Sequence, residues 1–159
     1  ISRTGKFGQG RFQVAPGAVE VRLEAEAHVL DALPDRPEDA GQFDLVVVGG
    51  GIAGTCVAVS AARLGLRVAL IQNRPVLGGN NSSEVRVHLV GKTDQNLYPA
   101  LGNFVRALDD HHPPNAAEGD KYQDALKLQL VKAEPNLDLF LNTHMNWLEI
   151  TDGKIERVY

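Results

Sequence analysis

The run Leu45-Val46-Val47-Val48-Gly49-Gly50-Gly51 limits the possible folds of this chain more than any other stretch. A short β-branched run that is apolar on both faces suits a central strand of a parallel sheet, where helices cover both sides. The glycines break that strand. Ile52 to Leu64 then reads as a helix of small residues, with Arg63 in its last turn and Gly65 just past its end. Arg67 to Ile71 is a second apolar strand. Strand, turn, helix and strand together fill 44–72, the size of one βαβ unit.

Within the turn, Gly49, Gly51 and Gly54 form the pattern G-x-G-x-x-G. Each has a separate physical task. The first permits the sharp exit from the strand, the second lets bare backbone approach a pyrophosphate, and the third allows the helix to pack close. The first helical turn, with Ile52 and Ala53, directs free N–H groups and the positive end of its dipole at the phosphates. Ala58, Ala61 and Ala62 keep the helix slim. The acidic residue that usually binds the ribose at the end of the second strand is absent. Gln72 stands there, followed by Asn73 and Arg74. A glutamine oxygen can accept a ribose hydrogen bond without the charge. A neutral residue followed by an arginine also suits NADP, with the guanidinium on the 2′-phosphate.

The remaining pattern divides the chain into a lead-in and linker, 1–42, and a nucleotide-binding domain, 43–159. Val19, Val21 and Leu23 alternate with charged residues as in a half-exposed strand, and Leu33–Asp39 is an acidic, proline-bearing linker. Beyond the βαβ unit lies the polar loop Gly78–Ser83. Val85, Val87 and Leu89 then alternate with Glu84, Arg86 and His88, which predicts a strand. Leu97, Ala100, Leu101, Phe104, Val105 and Leu108 are spaced as a helix, with Pro99 in its first turn. After a loop over 111–119, Asp120 is placed to cap a helix with Tyr122, Ala125, Leu126, Leu130 and Ala133 on one face, and Pro135 prevents its continuation. Leu137–Leu141 is a further strand. Trp147–Ile150 and Ile155–Tyr159 flank Asp152-Gly153, a hairpin signal. The fold class is α/β: a Rossmann-like FAD/NAD(P)-binding parallel sheet with interposed helices and a β-hairpin.

The stretch 44–87, above all Arg74-Pro75-Val76-Leu77-Gly78-Gly79-Asn80-Asn81-Ser82-Ser83-Glu84-Val85-Arg86-Val87, resembles the FAD-dependent oxidoreductases with two dinucleotide-binding domains. The resemblance implies that Gly78 and Gly79 lie along the FAD phosphates and that Asn80, Asn81 and Ser82 approach the flavin. Leu139–Met145 is similar to the strand whose end turns under the adenine, which puts backbone near Met145 in the site. It further implies an enzyme that passes hydride between a small-molecule substrate, carbohydrate-related, and the flavin. Such domains usually close with another strand and a glycine–aspartate segment, so the chain is expected to be a piece of a longer flavoprotein.

Two readings compete with that one: an NADP-dependent reductase domain, favoured by Gln72 and Arg74, and a nucleotide-binding module without redox chemistry. Arg86 and His88 are the candidates for the reaction centre, since both project from one side of the expected strand. A positive group near flavin N1 stabilises reduced flavin, and a neutral His can take a substrate proton. His111 and His112 beside Asp109 and Asp110 carry no convergent ligand spacing, so no metal is expected. The single cysteine, Cys56, excludes an internal disulfide, fits a packing role, and agrees with a cytoplasmic location. A net charge of −4 gives no reason to expect nucleic acid or an anionic membrane as partner. No apolar run approaches the ~20 residues of a membrane span.

Overall fold

A computed structural model describes residues 39–91, 97, 99, 101–109 and 111–159. The chain divides into two units, Ile1–Ala40 and Gly41–Tyr159, and every element below belongs to the second. The strand expected around Val19–Leu23 and the proline-bearing linker lie outside the described residues.

Strand β1 (Leu45–Val48), helix α1 (Ile52–Arg63) and strand β2 (Val68–Gln72) form the βαβ unit. Helix α2 (Leu101–Leu108) follows, then a 3₁₀ turn at Gly119–Tyr122, helix α3 (Asp124–Lys132) and strand β3 (Leu137–Leu141). Three parallel strands make one sheet in the order β1-β2-β3, with Leu45 opposite Val68 and Val68 opposite Leu137. Strands β4 (Leu148–Thr151) and β5 (Lys154–Val158) form a separate antiparallel hairpin. Asp152 and Gly153 turn it with positive φ values of 50° and 74°, as a two-residue hairpin loop of this twist requires.

The core lies where α1 meets β2. Ala58, Val59, Ala61 and Ala62 pack with Val68, Leu70, Leu77, Val131 and Leu137. Alanines on the buried side of α1 let its backbone come close to the sheet, and Gly65 at φ +91° ends the helix. The Arg63 guanidinium ties α1 to the end of α3 through Glu134 at 2.7 Å and lies over the Phe104 ring at 5.7 Å.

Three expectations change. β1 is the edge strand of the described sheet, and Val48 is 52% exposed; β2, with four of its five residues buried, is the central one. Continuous apolarity in β1 signals two covered faces, which the described residues do not supply.

Residues 84–90 form no strand. Arg86 sits at φ +61°, its N–H donates to the Ser82 carbonyl, and the next N–H, of Val87, donates to the Asn80 carbonyl. The segment is folded back on its own loop, which defeats the period-two alternation.

Around Asp120 the helix is interrupted. Gln123 at φ +53° separates the 3₁₀ turn from α3, so Asp124 rather than Asp120 begins the α-helix. The buried face of α3 carries Lys127 and Val131, with Ala125 exposed and Leu126 and Leu130 half-buried.

Candidate functional site

The glycine turn and the Gly78–Ser83 loop meet at the C-terminal ends of the parallel strands. Gly49 takes φ +105° to leave β1, and its N–H donates to the Ile71 carbonyl at 2.8 Å. Only glycine adopts that conformation without strain. Gly54 is glycine for a different reason: a Cβ there would lie 1.9 Å from the Gly49 carbonyl oxygen. A Cβ on Gly50 would strike Leu77 Cδ2 at 2.6 Å. Gly51 differs from all of these. Its φ is −64°, ordinary for any residue, and an added Cβ would meet nothing within 4 Å. Gly51 is the N-cap of α1, no side chain caps that end, and the first turn holds no acidic residue. The uncapped amides of Ile52 and Ala53 therefore begin the helix beside open space.

The second loop is stitched to the first. Gly78 donates its N–H to the Gly50 carbonyl at 2.8 Å, and Gly51 and Gly78 form a parallel bridge. A Cβ on Gly79 would sit 3.2 Å from Gly51 Cα, so these ribbons touch through main chain. Behind the loop is a buried polar layer. Asn81 is 2% exposed and donates from Nδ2 to Asp109 Oδ2 at 3.0 Å and to the Val87 carbonyl at 3.2 Å. Because both partners are acceptors, the amide orientation is determined. Its Oδ1 is buried with no donor among the described residues. Ser82 Oγ donates to the Gly79 carbonyl at 2.7 Å. Ser83 donates from its N–H (3.1 Å) and its hydroxyl to Asp124 at the start of α3.

The sequence-predicted residues thus separate by place and task. Gly49, Gly51, Ile52, Ala53, Gly54, Gly78 and Gly79 come together at one junction, and Asn80 lies exposed beside it. Asn81 and Ser82 belong to the same loop, with their side chains turned inward to hold its shape. Gln72 is 5% exposed and is engaged at both ends: Oε1 accepts the Gly50 N–H at 2.8 Å and Nε2 donates to the Val76 carbonyl at 3.0 Å. It braces the glycine turn against the exit of β2.

Asn73 and Arg74 are exposed, and Arg74 Nε pairs with Glu84 at 2.9 Å. That hydrogen bond and the Glu84 charge raise the arginine pKa. Met145 lies beyond β3, where Thr143 N–H donates to the Gln72 carbonyl, so this segment does run past the end of β2.

Arg86 and His88 do not share a strand face. The Arg86 carbonyl accepts from Ala116 N–H and Tyr122 Oη, and His88 is held by Asn115, whose Oδ1 takes its N–H at 2.7 Å. Asp109 Oδ1 accepts the backbone N–H groups of His111 and His112, so this acidic–histidine run is a turn built on one carboxylate. Among the described residues no group of three His, Cys, Asp or Glu side chains could hold a metal. Burial pushes the Cys56 thiol up, away from a reactive thiolate.

A shallow hollow lined by His111, Pro113, Pro114 and Lys121 shares no residue with the glycine junction. No described helix is long and apolar enough to cross a membrane.

Residues missed from sequence are Gly50, Asp109, Asp124 and Lys127. Gly50 is visible there only as an unassigned position inside the glycine pattern. Asp109 and Asp124 hold Asn81 and Ser83 from 28 and 41 residues away, and Lys127 is a charge on a helix, so none of the three leaves a local signal.

A family model described as FAD dependent oxidoreductase matches residues 44–159. One component of the alkyl hydroperoxide reductase of Pseudomonas aeruginosa is 34% identical over 105 residues, covering 66% of this chain and 18% of that protein. The tRNA uridine 5-carboxymethylaminomethyl modification enzyme MnmG of Rhodopirellula baltica is 29% identical, covering 66% and 19%. The chain thus spans about a fifth of the length of these curated relatives. The crystal structure of the GidA-related protein from Thermus thermophilus aligns with a TM-score of 0.44 at 18% identity, over 71% of this chain and 44% of that one.

Proposed function

This chain belongs to the FAD-dependent oxidoreductase family, and on that premise we propose that its glycine junction holds the diphosphate of FAD while a small-molecule substrate exchanges hydride with the flavin. The observation that carries this reading is the open space beside Gly51. Gly49 needs its positive φ, Gly50 has Leu77 against it, and Gly54 has the Gly49 carbonyl. Gly51 has no such internal reason, so its missing Cβ serves an approach from outside the protein. The residues present fit the group: uncapped amides and the positive end of the α1 dipole face the same opening.

Bound FAD supplies hydride acceptance at flavin N5. The chain supplies the binding. Gly51 and the first turn of α1 receive the diphosphate, Gly78 and Gly79 back the turn, and Gln72 locks Gly50 so that the amides keep their aim. Backbone past Thr143 borders the adenosine side. The NADP reading is weakened at its two supporting residues, since Gln72 is engaged and Arg74 is paired with Glu84.

Purified full-length protein scanned in visible light is expected to be yellow, with flavin bands and one FAD per chain. A colourless protein that binds NADP, and loses it on Arg74→Ala, would overturn the proposal. Nucleotide binding with no reduction by any donor would make the chain a binding module instead.

A further inference from the structure

Lys127 is 0% exposed, on a helix whose apolar spacing gave no hint of a buried charge. Lysines near an apolar surface ordinarily lay their stem along it and keep the ammonium in water. Here the head stays inside, where an uncompensated charge costs several kcal/mol. Its Nζ donates to the Tyr122 carbonyl at the end of the 3₁₀ turn. Two carboxylates act on it, Asp124 from its own helix and Asp109 from the loop after α2. Both have other donors: Asp124 takes Ser83, and Asp109 takes Asn81 and the amides of His111 and His112. The Tyr122 hydroxyl is committed to the Arg86 and Pro114 carbonyls. Its stem lies against Gly78, where an added Cβ would lie 3.0 Å from Lys127 Cδ and Cε. Beyond Gly78 come the Gly50 carbonyl and Gly51.

We infer that the Lys127 ammonium is a fixed positive charge behind the glycine junction, a positioning residue that draws the cofactor's diphosphate onto Gly51 through the Gly78–Gly79 ribbon without touching it. This rests on the reading of the junction as the FAD site. A methionine or leucine would fill the same space against Gly78, so the charge has a use that packing alone does not explain. Its charge is buried, hence poorly screened, and has the same sign as the α1 N-terminus.

The inference separates from a purely structural role by the sign of its pH dependence. Burial, opposed by Asp124 and Asp109, holds Lys127 below its ordinary value of 10.5 in the folded chain. Between the lowered and the unfolded value the unfolded chain binds the extra proton, so ligand-free stability rises with pH. A bound diphosphate favours the protonated form, so cofactor affinity falls over the same window. A brace on the Tyr122 carbonyl predicts the first slope and not the second.

The test uses full-length protein stripped of flavin and titrated with FAD and, separately, with ADP-ribose, which carries the diphosphate but no flavin, between about pH 7 and 10. Affinity for both is expected to fall about tenfold as pH rises, a loss of roughly 1.4 kcal/mol. Lys127→Met should bind about tenfold more weakly at pH 7, with a flat profile. Cys56→Ser, which removes the half-buried thiol of α1, should keep the wild-type slope. A flat wild-type profile overturns the inference while leaving the site in place, and so does wild-type affinity in Lys127→Met or a slope lost in Cys56→Ser. Should Lys127→Met fail to fold, the wild-type profile with its Cys56→Ser control decides alone. Wild-type protein that takes up neither ligand removes the site itself, and this role with it.

Discussion

At Gly49–Gly54 close approach is achieved by leaving side chains out, whereas at Gly78–Ser83 it is achieved by packing polar side chains beneath the loop. Outside its own βαβ unit the first turn meets the nearby Leu77, Gly78 and Gly79. The second depends on Asp109, 28 residues from Asn81, and on Asp124, 41 residues from Ser83. One surface is therefore shaped by sterics written locally, and the other by hydrogen bonds that exist only once α2 and α3 have docked. Damage should show itself differently in the two.

The largest effect is expected inside the first turn. Gly54→Val places a Cβ against the Gly49 carbonyl at 1.9 Å, and should destabilise the fold by about 3 kcal/mol or more in urea melts. Gly51→Val, three residues away, should do the reverse. Its Cβ enters open space, so stability should change by under ~1 kcal/mol, while FAD retention falls at least about a hundredfold. Stoichiometric FAD in that variant would remove the site assignment.

In the second loop Asp109→Ala leaves the buried Asn81 amide short of an acceptor and should cost about 2 kcal/mol. Part of that cost should be recovered in the Asn81→Leu, Asp109→Leu double variant, because the Asn81 amide is no longer left without its acceptor, while the loss of the His111 and His112 bonds to Asp109 remains. Strict additivity of the two losses would show that the pair is not coupled. The smallest effect belongs to Arg74→Ala. The Arg74–Glu84 pair is exposed, so the melting temperature and FAD affinity should both stay at wild-type values, and a clear drop in either would give this ion pair a role the comparison denies it.

What could be read from sequence follows the same division. The strand–glycine–helix–strand unit was legible because β-branched runs, glycine spacing and small helical residues are local signals, and β1, α1 and β2 fall within a residue or so of their expected bounds. The hairpin was legible from Asp152-Gly153 for the same reason. The strand expected over Glu84–Leu89 failed because alternation speaks only for an extended backbone, and Arg86 at φ +61° is held out of it by Ser82, Ala116 and Tyr122. Gln72 was recognised as a departure, but its brace on the glycine turn was not legible, since its partner Gly50 lies 22 positions back. Lys127 was invisible because a charged residue on an amphipathic helix is ordinarily placed in solvent.

The parallel bridge between Gly51 and Gly78, together with the Gln72 carboxamide, closes the two strand exits into a single ring of main chain. Such a ring gives up its torsional freedom during folding, before any ligand arrives. Capture then asks little rearrangement of the protein, and the lifetime of the complex becomes a measure of how rigid that ring is. Loosening it at Gln72 should shorten residence.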